Sequence, residues 1–270
     1  MAKKRILFVL EGEEREKGLF DNIAGVFFND KTEIVPVYVP VGINLYMFYD
    51  VLKKSNFETD VVEEIRSLSE ETKKKLAGYS RKDFAETYYF FDFDEHSNNL
   101  HDKKENNIEV LKSMLETFNN ETELGKLYIS YPMIESFRDF VPSDCGVVSG
   151  GCFRNRNEFG AYKRDSAKEP KNNKITDYDF VKWKGLIENY IYRASCLFKI
   201  NELDRNSFVE EVTPSHIFDK EIRIYQKSSD IFILSCLPEF LVDYFKYCWD
   251  VPLQKRRKPI KKKGCDEIAM

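Results

Sequence analysis

The sequence predicts an α/β fold: a parallel sheet flanked by helices, followed by a mainly helical C-terminal region. Two observations carry this. Residues 6–10 (ILFVL) are a continuous apolar run that ends in Glu11-Gly12, and residues 88–91 (YYFF) are a second run that ends in Asp92-Phe93-Asp94. Continuous apolar runs of this length, bounded by acids and glycine, read as strands buried on both faces. Between and after them, segments with apolar residues at spacings of three and four alternate with further β-rich stretches, as in a parallel sheet covered by helices.

The elements follow in order. After Glu11-Gly12, residues 13–29 place Leu19, Ile23, Val26 and Phe27 on one helical face, and the early acids Glu13, Glu14 and Glu16 suit the positive end of a helix dipole. Residues 32–39 (TEIVPVYV) are β-rich, and Pro36 points to an irregular or edge position. Asn44 is an N-cap for a helix to Lys54, and a charged helix over residues 60–77 ends at Gly78. Residues 106–119 are amphipathic through Ile108, Leu111, Met114, Leu115 and Phe118, and residues 126–131 (KLYISY) form a fourth strand. Pro132 opens a short helix that carries Glu135.

Composition changes after Pro142. Residues 144–174 are rich in Gly, Asn and Lys and read as a boundary or long loop. Residues 176–198 read as one helix with Phe180, Trp183, Leu186, Ile187, Tyr190, Ile191 and Ala194 inward, and Thr213-Pro214 starts another. A late strand at 231–236 and an aromatic helix at 238–249 precede the basic run at 255–263 (KRRKPIKKK). The expected division is therefore 1–142 as the α/β domain, 143–254 as the mainly helical region and 255–270 as a basic tail.

The net charge of −4 predicts no uniform attraction to nucleic acid, while the basic run leaves an acidic body with one basic tail, readable as a solvated tail or, less commonly, as a local polyanion contact. Six cysteines without a CxxC pair read as reduced, mostly buried thiols. The apolar run near the N-terminus is too short for a signal peptide, and no stretch approaches the ~20 apolar residues of a membrane span. A cytoplasmic protein without membrane contact is expected. The aromatic C-terminal half, including Trp183, Tyr190, Phe240, Tyr244 and Trp249, carries enough apolar surface for a homodimer or a partner interface.

Chemistry concentrates at the two strand ends. In open α/β sheets ligands gather at the carboxyl edge. A glutamate from one strand and Asp92 and Asp94 from another supply the converging carboxylates that a divalent cation needs. His96 is placed to orient a phosphate or simply to sit in a solvated loop. The same two readings apply to Arg138, Arg154, Arg156, Lys163 and Arg164 as a nucleic-acid groove.

This ordered pair of motifs resembles a TOPRIM domain, the Rossmann-like fold of topoisomerases, bacterial primases, OLD-family nucleases and small defence nucleases. Leu10-Glu11-Gly12-Glu13-Glu14-Arg15-Glu16 with Phe20 is similar to the EGExxE opening of RloB-like proteins, and Tyr131-Pro132-Met133-Ile134-Glu135 is similar to their Asn-Pro-x-x-Glu element. The resemblance covers roughly residues 5–140, and AriB-type TOPRIM effectors of PARIS anti-phage defence are the whole-chain group it suggests. It implies metal-dependent cleavage of RNA (tRNA) or DNA by a toxic effector of abortive infection, held inactive by an ATPase partner. Glu11 would be the general acid/base or a metal ligand, and Asp92 and Asp94 would hold Mg2+ or Mn2+. Glu135 is a further catalytic candidate and Glu16 a further metal ligand, each equally readable as an acid near a helix N-terminus. Two other readings stand beside it. One is a haloacid-dehalogenase-like phosphatase or phosphotransferase with Asp92 as nucleophile, although that motif normally follows the first strand. The other is a non-catalytic module that binds nucleic acid or a partner.

Overall fold

A computed structural model describes residues 3–12, 14–40, 43–93, 106–138, 152–166, 175–200 and 205–245. The chain divides into two compact units, Met1–Tyr128 and Ile129–Met270.

The first unit is built on β1 (Lys4–Glu11), α1 (Glu14–Phe27), β2 (Thr32–Val39), α2 (Leu45–Lys54), α3 (Val61–Ser67), α4 (Glu70–Lys75), β3 (Glu86–Asp92), α5 (Asn107–Thr117), β4 (Asn119–Asn120) and β5 (Gly125–Ser130), whose last two residues belong to the second unit. The sheet order is β2-β1-β3-β5-β4, parallel where β1 meets β2 and β3, and antiparallel in the short β4–β5 pair. β1 is central, and every residue from Ile6 to Leu10 is 0% exposed. Such complete burial requires apolar side chains on both faces, which is why the run does not alternate.

The two faces are filled separately because neighbouring strand residues point oppositely. Phe8 packs edge-on against Phe20 of α1 and against Tyr88 and Phe90, and Phe90 stacks on Tyr128 at 5.8 Å. On the opposite face Tyr89 and Phe91 meet Phe48 of α2, and Tyr89 also meets Phe118 at 4.9 Å. β2 is an edge strand, as Pro36 predicted, and Pro36 stands opposite Phe8.

Local capping follows the sequence closely. Asn44 accepts the Met47 N–H at the start of α2, and Asp60 accepts the Val62 N–H at the start of α3. The single charged helix expected over 60–77 is instead two, because Ser69 accepts the Thr72 N–H while the Thr72 hydroxyl accepts the Ser69 N–H. That reciprocal cap starts a new helix and so breaks the old one. Thr87 is fully buried in β3, and its hydroxyl finds no hydrogen-bond partner among the described residues. Thr87→Val removes that stranded group while keeping a β-branched shape. It is expected to raise stability by about 1 kcal/mol, read from urea unfolding.

The second unit holds β6 (Phe153–Asn155), α6 (Phe159–Ser166), α7 (Phe180–Phe198), α8 (Arg205–Glu211), α9 (Pro214–Ser228), β7 (Asp230–Phe232) and α10 (Cys236–Tyr244). It is mainly helical. β6 and β7 pair antiparallel, with Phe153 opposite Phe232. Part of the stretch read as a loop thus forms a strand and a helix, too short for periodicity to reveal. Asp179 caps α7 through the Lys182 N–H, and Thr213 caps α9 with Pro214 at its first position. The expected helix at Pro132 is a 3-10 turn, Ile134–Arg138, after a cis Tyr131–Pro132 bond. Cys152 and Cys236 are buried thiols, as expected, whereas Cys196 departs from the expected reduced state and is disulfide-bonded. Every other cysteine lies far from Cys196 in sequence, so local spacing gave no sign of that bond. The basic run at 255–263 lies outside the described residues. Among the described residues, no helix is long and apolar enough to cross a membrane.

Candidate functional site at the β1 and β3 strand ends

Chain order decides where a crevice opens. From β1 the chain passes through α1 to β2 on one side, then returns through α2, α3 and α4 to β3 on the other side. The carboxyl ends of β1 and β3 therefore flank a topological switch point, where helices leave in opposite directions and ligands bind in open α/β sheets.

Glu11 is the last residue of β1 and Asp92 the last of β3. The register runs Ile6 with Glu86 through Leu10 with Phe90, so the two acids leave the sheet side by side. The Asp92 N–H donates to Glu11 Oε2 at 3.2 Å, which ties one strand end to the other. Both residues are half-buried. Gly12 follows with φ 85°, a left-handed conformation that turns the chain toward α1 at little cost only for glycine. α1 begins at Glu14, so the positive end of its dipole lies close in sequence to the Glu11 carboxylate. Beyond Asp92, the buried Phe93 ring anchors the chain.

The remaining predicted residues stand as follows. Asp94, His96 and His101 lie outside the described residues. Glu16 falls in the first turn of α1, and its side chain is likewise outside them. Glu135 belongs to the second unit, where it is 4% exposed in the turn Ile134–Arg138. Arg138 lies over the Phe137 ring and Arg154 over the Tyr162 ring. Arg156 follows β6, Arg164 is exposed on α6, and the Lys163 side chain is not among those described.

Carboxylate oxygens are the hard donors that Mg2+ or Mn2+ takes. Magnesium keeps several waters, so one or two protein carboxylates suffice to hold it. Glu11 and Asp92 carry donors of that kind at neighbouring strand ends. Among the described residues, no group of three or more His, Cys, Asp or Glu side chains could hold a metal.

The sequence reading passed over three buried charged residues of the second unit: Arg193 of α7, Glu221 of α9 and Glu239 of α10. The available signal was a charge on an apolar stripe, as with Glu221 between Ile217, Phe218 and Ile222, Tyr225. Arg193 Nη1 donates to the Ile233 carbonyl at 3.2 Å. Comparison with protein-family models, curated proteins and solved structures finds no match to this chain.

Proposed function

We propose that this chain is a Mg2+- or Mn2+-dependent TOPRIM-type nuclease that cleaves RNA (tRNA) or DNA. The observation that carries the reading is the meeting of Glu11 and Asp92 at the β1–β3 switch point, with the Asp92 amide on the Glu11 carboxylate. Glu11 and Asp92 would hold the metal, together with Asp94 and, from the sequence resemblance, Glu16. The bound ion would supply charge stabilisation to a phosphodiester under attack by water. The protein's own share is positional. The β1–β3 pairing fixes the spacing of the carboxylates, and the Asp92 N–H orients Glu11 so that its carboxylate can take a proton from the attacking water. A free nuclease of this kind is toxic to its host, so an ATPase partner that keeps it silent until infection is part of the reading.

The test uses the full chain, purified with and without a candidate ATPase, on end-labelled tRNA and DNA. Cleavage is expected with Mn2+ or Mg2+ and none with excess EDTA. Intact substrate under every metal and partner condition would remove the nuclease reading.

A further inference from the structure

The second unit contains a titratable group that the proposed chemistry does not use. Glu221 lies mid-helix in α9 and is 0% exposed among Ile217, Phe218, Ile222 and Tyr225. Its Oε2 accepts the Phe232 N–H of β7 at 2.9 Å, while Oε1 finds no hydrogen-bond partner among the described residues. β7 and its continuation are a junction of this unit. Phe232 meets the Phe153 ring at 5.0 Å, the Ile233 N–H donates to the Cys152 carbonyl, and Leu234 exchanges two backbone hydrogen bonds with Tyr131.

We propose that Glu221 is a proton latch, holding α9 on β7 while its carboxyl keeps the proton and releasing the helix when the proton passes to solvent. A carboxylic acid with one accepting oxygen on an amide is tolerable in an apolar site. Among the described residues, a carboxylate there has one hydrogen bond and no counter-charge, and must reach water. The charged groups around it are engaged elsewhere or face outward. On its own helix Asp219, Arg223 and Lys227 are exposed, and Lys220 lies over the Phe198 ring. On the packed strands Asp230 accepts from Asn155, and Arg154 lies over the Tyr162 ring. Arg193 of α7 donates to the Ile233 carbonyl. Burial pushes the carboxyl well above its ordinary range, and the Phe232 amide offsets this only in part. The sign follows from linkage. A raised folded-state value leaves the docked form at full stability below the pH where a free glutamate ionises, about 4.3, and stability falls as pH rises toward the folded-state value.

The experiment compares the full chain with Glu221→Gln, which keeps an acceptor for Phe232 but cannot ionise. Infrared difference spectra taken just above the pH where a free glutamate ionises should show a protonated carboxylic-acid band in the wild type that E221Q lacks. Hydrogen exchange at the Phe232 amide, compared between the two proteins at each pH, should show the wild-type open fraction rising about tenfold per pH unit relative to E221Q. If E221Q fails to fold, Glu221→Leu serves as the non-ionising reference. Absence of the acid band, or parallel pH profiles in wild type and variant, would overturn the latch.

Discussion

Gly125→Ala is expected to destabilise the first unit by about 4 kcal/mol, from two costs that add. Gly125 opens β5 at φ 112°, outside what side-chain-bearing residues adopt cheaply. A Cβ built there runs into Cε2 of Tyr89 and lies 3.1 Å from Tyr89 Cζ and 3.2 Å from Thr87 Cγ2. The Tyr89 ring has no room to retreat. It is packed between Phe48 and Phe118, and its hydroxyl donates to the Leu124 carbonyl at 2.8 Å. The measurement is urea unfolding followed by far-UV circular dichroism. A loss below about 1 kcal/mol would mean that the β4–β5 turn is not held against β3 as described.

Glu11→Gln should lower metal-dependent cleavage by about 10²- to 10⁴-fold, the usual contribution of a positioned acid or base. The amide is nearly isosteric and can still accept the Asp92 N–H, so the junction of β1 and β3 should survive with little change in melting temperature. Glu11→Ala removes charge and acceptor together and should add a stability loss of about 1 kcal/mol. Comparing the two variants separates chemistry from architecture. Wild-type cleavage rates in E11Q, at the same metal concentration, would exclude Glu11 from the reaction.

Much of the first unit was legible because its strongest signals are long and local. Five consecutive apolar residues before Glu11 allow little besides a buried strand, and Asn44 is a cap whose side chain bonds within the first turn of its own helix, as Thr213 does in the second unit. Neighbourhood across the sheet was harder. Periodicity gives strand ends, whereas the pairing of β1 with β3 depends on tertiary packing. The breaks fall where signals are short. β4 has two residues and β6 three, too few to show an alternation, and Ser69 reads as an ordinary polar helix residue until Thr72 completes its cap. Glu221 sits on the apolar stripe of α9, but an acid on a helix is usually at the surface, and its bond to the Phe232 amide comes from tertiary packing.

The borders of the five-stranded sheet bear on how copies or partners can join it. One border is β2, interrupted by Pro36, which has no amide hydrogen to offer an incoming chain. The other is β4, only two residues long. Among the described residues, a strand broken by proline and a strand of two residues are poor templates on which another polypeptide could add a strand. Association at those two borders would draw on side-chain surfaces more than on backbone pairing, and its specificity could then be altered residue by residue without unravelling the strands.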